Sequence, residues 1–196
     1  MNGLKEHKYR VLIASSNEKF DDVLLSLLPK EEFDPIYVVT SASAARRELH
    51  DKSYDLLLVN TPLQDERGIN LAVDAAIDTG AGVLLFIDAQ WYDEVTAHTE
   101  EYGVLTVSKP TKRSVVTHTI RLMCATRQRL KRMEKKAQSF EEKIAEIKTV
   151  NRAKLLLMEK EGLSEDEAHK LILREAMDSR LTRQAVAQEI IERLGG

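Results

Sequence analysis

Lysine and arginine are the side chains whose number and spacing could do chemistry here, and they collect at one end. Residues 1–110 hold 10 Lys/Arg against 19 Asp/Glu, a net of −9; residues 111–196 hold 19 against 13, a net of +6, within an overall charge of −3. An acidic front half and a basic back half imply a sensory domain joined to one that binds a polyanion. The densest cluster, Arg127, Arg129, Lys131, Arg132, Lys135 and Lys136, has two readings: solvated flanks of a coiled coil, or a patch that steers a polyanion. Covalent chemistry is poorly provided for. Cys124 is alone, which excludes an internal disulfide and a multi-cysteine metal site; in a helical stretch it reads as a packed thiol. His98 and His118 have no Cys or carboxylate at metal-ligand spacing. There is no Ser/His/Asp logic and no Gly-rich phosphate loop. The chain therefore reads as a non-enzyme with no metal or cofactor.

The elements that position the basic end are legible from their caps. Ser164-Glu-Asp-Glu167 is a capping box, in which the serine hydroxyl and the third-position glutamate each satisfy the other's backbone amide. Gly162 sits where the preceding helix must stop, in the left-handed position that glycine takes most cheaply. Thr182 can cap a third helix, roughly Arg183 to Leu194, with Val186, Ile190 and Leu194 on one face. From Ser114 no Gly or Pro intervenes until Gly162, so one helix of about 45 residues would run on the order of 70 Å. Met123, Leu130, Ala137 and Ile144 at one seam position, and Thr126, Met133, Phe140 and Ile147 at the other, give four heptads. The reading is a dimeric coiled coil held by Met123, Leu130, Met133, Phe140, Ile144 and Ile147.

The front half alternates strands and helices. Strands are expected at 9–14, 36–40, 55–60, 82–87 and 104–108, and helices at 18–28, 43–52, 69–78 and 92–102. Asp55-Leu-Leu-Leu-Val-Asn60 is apolar throughout, as a strand buried on both faces must be. Five such units predict a doubly wound α/β fold with a five-stranded parallel sheet, whose site lies at the carboxyl ends of the strands. No apolar run is long enough to cross a membrane. Met1-Asn-Gly-Leu-Lys-Glu-His-Lys8 has no apolar signal core, which reads as cytoplasmic.

Two stretches carry resemblances. Ala153-Lys154, Leu157-Met158, Glu167-Ala168, Glu175-Ala176-Met177-Asp178 and Val186-Ala187 resemble the ANTAR domain, the RNA-binding output module of transcription antiterminators. Many members carry an aromatic after the Glu-Ala pair; His169 stands there in this chain. The resemblance implies binding to paired hairpins in a leader transcript, with Arg152, Ala153, Lys154, His169, Lys170, Arg174, Arg180 and Arg183 as RNA-contact residues. Leu156, Leu157, Ala168, Leu171, Ile172 and Val186 are expected to form the module's core. Residues 9 to about 125, through Asp55 to Asn60, Thr61-Pro62, Gly68 and Lys109-Pro110, resemble the receiver domain of response regulators (flavodoxin/CheY-like). The resemblance implies a phosphoacceptor carboxylate where Asn60 stands, and an acidic Mg²⁺-binding pair where Ser15-Ser16 stand. Asp88 aligns with the hydroxyl residue after the fourth strand and Thr106 with the switch aromatic; Lys109 is retained. A neutral amide lacks the anionic oxygen that nucleophilic transfer needs, so Ser15, Ser16, Asn60, Asp88 and Lys109 read as a degenerate pocket. Displaced carboxylates at Asp65, Glu66 or Asp88 are the remaining route to an acidic one.

The expectation is a homodimeric antiterminator: a pseudo-receiver over 1–112, a coiled-coil helix over 113–150 and an ANTAR module over 151–196. Its partners would be leader RNA, a second copy and a regulatory protein. The rival readings are a protein-binding adaptor and a DNA-binding regulator. Arg183 is the only basic side chain of the last helix before Arg193, which makes it a poor groove reader.

Overall fold

A computed structural model describes residues 8–195; residues 1–7, most of the segment behind the cytoplasmic reading, lie outside them. The chain divides into two compact units, residues 1–130 and 131–196. In the first, strands β1 (Tyr9–Ser15), β2 (Phe33–Val39), β3 (Leu56–Asn60), β4 (Gly82–Asp88) and β5 (Leu105–Lys109) alternate with helices. These are α1 (Glu18–Leu25), α2 (Ala42–Asp51), α3 (Ile69–Asp78) and α4 (Tyr92–Thr99). The sheet is parallel in the order β2-β1-β3-β4-β5, the doubly wound fold expected.

Burial explains the order. Every residue of β3 is buried, as its central place requires, and helices cover both faces. Leu12, Leu57, Val59 and Leu85 face α2, α3 and α4 in one core; Val11, Ile13, Leu58 and Phe86 face α1 and the start of α5 (Arg113–Glu161) in the other. Gly68 starts α3 at φ 84, where a β-carbon would meet Val59 Cγ1 at 2.9 Å; only glycine fits there.

Three boundaries differ from the sequence reading. β2 begins at Phe33 rather than Ile36, because Phe33 is buried in the second core while Pro35 sits on an edge strand, where a missing N–H is tolerated. The β1–β2 register shifts between Tyr9 and Val11, opposite that proline. Helix α1 stops at Leu25, where the Ser26 hydroxyl turns back to Val23 O at 2.6 Å. Residues Glu100–Tyr102 form a 3₁₀ turn into Gly103 rather than a last turn of α4.

Helix α5 corrects two further expectations. Val116, Ile120, Met123 and Cys124 are buried in the sheet's second core, so residues 113–130 belong to the first unit. Met123, 3% exposed, is a core residue and cannot serve in a dimer seam. The other residues expected in that seam, Leu130, Met133, Phe140, Ile144 and Ile147, are all exposed. Cys124 is the packed thiol expected, its pKa pushed up to about 11, chiefly by burial.

The second unit is the end of α5 with α6 (Glu165–Ser179) and α7 (Arg183–Leu194). Its caps form as the residues dictate. Gly162 takes φ 70, Ser164 Oγ accepts from Glu167 N at 3.3 Å while Glu167 Oε2 accepts from Ser164 N at 2.9 Å, and Thr182 Oγ1 accepts from Ala185 N at 3.2 Å. The core is Ala153, Leu157, Ala168, Ile172, Ala176, Val186, Ala187 and Ile190. Four alanines among eight let the helices approach closely. Leu171, expected in this core, is only partly buried against it, and Leu156 is intermediate.

Candidate nucleic-acid interface and strand-end pocket

At the carboxyl ends of the strands, register brings Ser15 beside Asn60 and Asp88 beside Lys109. Asn60 Nδ2 donates to Ser15 Oγ at 3.1 Å, and the Lys109 ammonium donates to Asn60 Oδ1 at 3.0 Å and to Thr61 O. Lys109 Nζ also lies 3.5 Å from Asp88 Oδ1. All the pocket residues named from the sequence but Ser16 form this one network; the Ser16 hydroxyl donates to Pro62 O at 2.8 Å instead. An open cavity of about 530 Å³ above it is lined by Ser16, Asn17, Glu18, Lys19, Asn60 and Lys109, among others. At Thr106, its hydroxyl and that of Thr96 on α4 share a hydrogen bond of 2.6 Å.

This donor set does not fit the Mg²⁺ that receiver chemistry uses. The Asn60 carbonyl oxygen is taken by an ammonium, Ser15 Oγ already accepts from Asn60 and from Asn17 N, and a hard dication prefers carboxylate oxygens. Nor do the displaced carboxylates rebuild an acidic pocket. Asp65 accepts from the amides of Ala42 and Ser43 at 2.7 and 2.9 Å, a second cap on α2 that lowers its pKa to about 2. Glu66 takes Arg46 at 3.0 Å, and Asp88 is held by Lys109. The sequence reading passed over Asp21. It is buried on α1, one oxygen is without a hydrogen-bond partner, and burial raises its pKa against the pull of the Ser15 hydroxyl.

On the second unit the proposed contacts separate into three groups. Ala153 is fully buried between helices, so it is corrected from contact to packing residue. Lys154 is only 16% exposed and pairs with Glu165 Oε1 at 2.7 Å. The pair ties α5 to the first turn of α6 and holds the Glu165 carboxyl below its ordinary pKa. Arg152, His169, Lys170, Arg174, Arg180 and Arg183 are exposed. Lys170 and Arg174 lie one turn apart on α6, Lys170 within 3.5 Å of Asp166. Arg183 pairs with Glu146 at 2.9 Å.

Arg180 closes α6 in the left-handed conformation at φ 56, with Leu181 N donating back to Ala176 O at 3.1 Å. Among the described residues it is the one non-glycine at positive φ, a strained position of the kind that clusters at functional sites. The sequence reading also missed Met177. It is 79% exposed and continues the Lys170–Arg174 line at i+3; helical spacing alone could have placed it there.

Residues 138–191 match the ANTAR domain family. The transcriptional regulatory protein PdtaR of Mycobacterium tuberculosis is 28% identical over 188 residues, covering 95% of this chain and 91% of that protein. The aliphatic amidase regulator of Pseudomonas aeruginosa is 26% identical over 163 residues, covering 83% and 74%. Among solved structures, the signal receiver domain of an HD-domain protein from Pseudomonas fluorescens superposes with a TM-score of 0.59 at 17% identity, covering 67% of this chain and 98% of its own. A CheY-like receiver domain from Methanospirillum hungatei gives 0.56 at 16%, covering 63% and 98%. The first unit therefore has the receiver fold. No helix among the described residues is long and apolar enough to cross a membrane.

Proposed function

We propose that this chain, an ANTAR-domain protein of the response-regulator type, is an RNA-binding transcription antitermination regulator. The observation that carries the reading is the ANTAR match over 138–191, which falls on a capped three-helix module with Lys170, Arg174 and Arg180 on its surface. The module takes leader-transcript hairpins, whose unpaired loop bases can be stacked and hydrogen-bonded. Arg152, His169, Lys170, Arg174, Arg180 and Arg183 supply the polar contacts, and Met177 offers an apolar one. Functionally the chain runs as a receiver-like domain that includes the start of α5 to about residue 130, a dimerisation stretch of α5 to 150 and an RNA module from 151. The seam of Leu130, Met133, Phe140, Ile144 and Ile147 pairs two copies, so that two hairpins are taken together. The receiver-like domain is not phosphorylated. With Asn60 neutral and bonded to Lys109, control passes to a bound protein partner or ligand.

Co-purification of bound RNA from cells, followed by sequencing, tests the class: paired hairpins ahead of terminators should be enriched. Affinity for two tethered hairpins should exceed that for one by about 10²-fold where the spacing suits a dimer. Equal affinity for the two, or no retained RNA, would return the chain to a protein-binding adaptor.

A further inference from the structure

Three cations on α5 take no part in holding the second unit together. Arg132, Lys136 and Lys143 are exposed, and among the described residues none of the three pairs with a carboxylate. By contrast Lys154, Lys170, Arg183 and Arg193 stand 2.7, 3.5, 2.9 and 3.7 Å from carboxylate oxygens. Arg132 and Lys136 also lie one turn apart, and like charges at that spacing weaken the helix that carries them. A solvated flank alternates its charges so that they pair along the helix; this face does not.

Around the helix, acids and cations are segregated. With Lys143 as reference, Arg132 and Lys136 stand within about 20°, Glu142 about 100° away, and Glu134 and Glu141 about 160–180° away. Glu146 is nearer, at about 60°, but Arg183 takes its carboxylate at 2.9 Å. The three cations thus form one line about 16 Å long from Arg132 to Lys143. Farther along the helix, Val150, Lys154 and Leu157 lie within about 40° of the same line. Val150 and Leu157 pack in the module's core and Lys154 pairs with Glu165 on α6, so the line lies on the side of α5 where α6 and α7 dock. Arg183 opens α7 and reaches Glu146, three residues past Lys143. The α6–α7 turn, with Arg180 and Arg183, therefore stands at the end of the line.

We propose that this line tracks the base-paired stem of the hairpin whose loop the module takes. The proposal rests on the RNA-binding reading above and deepens it. The loop is held at α6 and the α6–α7 turn, and the stem runs back along α5 from Lys143 towards Arg132, its phosphates against the three side chains. Lysine and arginine on phosphate position a nucleic acid without reading bases, and a paired RNA stem is recognised by shape and backbone rather than by sequence. The stem supplies affinity and orientation, and the loop supplies choice.

The test uses the full chain and a hairpin recovered with it from cells, either with its whole stem or with the stem cut to the pairs next to the loop and closed by G·C pairs. Lys136→Gln with Lys143→Gln removes two contacts and keeps good helix formers. Near physiological salt it should weaken binding to the whole-stem hairpin by about ten- to thirtyfold and lower the slope of log K against log salt by about 1.4–1.8. Binding to the short-stem hairpin should not change. Arg132→Gln, farther from the seam, should show the same selectivity for the whole stem with about half the change in slope, and it decides the matter should the double variant alter assembly in light scattering. Exchanging the stem's sequence with its pairing kept should leave affinity unchanged; a loss there overturns the phosphate contact. Equal losses on the two hairpins, or none on either, overturn the stem contact while RNA binding stands. A wild-type chain that retains no RNA removes the reading beneath it.

Discussion

Replacing Arg180 separates its two roles, backbone and charge. At φ 56 an L-residue costs roughly 1–2 kcal/mol through its β-carbon. Glycine removes that strain but restores about 0.4–1 kcal/mol of freedom to the unfolded chain. Arg180→Gly should therefore stabilise the three-helix unit by about 0.5–1 kcal/mol. For so small a unit that is about 2–8 °C in Tm. Arg180→Ala removes the guanidinium but keeps the β-carbon, so it should gain nothing. Scanning calorimetry of the full chain measures both, with amide exchange at the end of α6 assigning the transition. In gel shifts against a hairpin from the sequencing experiment, both variants should lose one phosphate contact, and the slope of log K against log salt should fall by about 0.7. Equal melting of the glycine and alanine variants would remove the strain argument. An unchanged salt slope in both would show that Arg180 does not touch phosphate.

Arg174→Ala should lower RNA affinity and the salt slope, whereas Lys154→Ala should mainly destabilise the module, its ammonium being committed to Glu165; gel shifts and urea melts together separate the two. Glu165 and Glu167 are both held below the ordinary value of 4.5, by Lys154 and Ser164 respectively. Their stabilisation is complete above that value and is lost as pH falls through the depressed folded values. Urea midpoints should thus drop below about pH 4.5, less steeply in Lys154→Ala; identical profiles would refute the linkage. Phe140→Asp with Ile144→Asp should give a monomer by light scattering, because unpaired charge enters the seam; a persistent dimer would place the interface elsewhere. Intact-mass measurement after acetyl phosphate and Mg²⁺ should find no phosphoryl adduct, and an adduct on Asp88 would refute the non-phosphorylated reading.

Local chemistry was the legible part. Ser164, Gly162 and Thr182 gave both turns of the C-terminal module because caps and left-handed stops depend on residues within a few positions. The bounds of α3 follow from Gly68 and one apolar face. What the sequence hid was tertiary. Met123 and Leu130 share a heptad position, and periodicity cannot say that a sheet covers one and leaves the other exposed. Ala153 and Lys154 suffered the same fate: a small residue and a cation inside a resembling motif say nothing about which points inward. The expected strand at 36–40 fell short of Phe33 because nothing local reveals that β2 lies on an edge, where Pro35 is tolerated. In the strand-end pocket, residue identities were enough to show that acceptor and metal ligands are missing. They could not show that Asn60 would fill the gap by bonding Ser15 and Lys109 at once.

The four alanines in the core of the three-helix unit set how this module can change over evolution. In a closely packed interior, enlarging one of these buried side chains costs about 1–3 kcal/mol, a heavy loss for so small a core. Variation is pushed outward, onto positions such as Lys170, Arg174, Met177 and Leu181, which are exposed and carry little of the packing. The module's surface can thus change by substitution there, one residue at a time, without passing through an unfolded intermediate sequence.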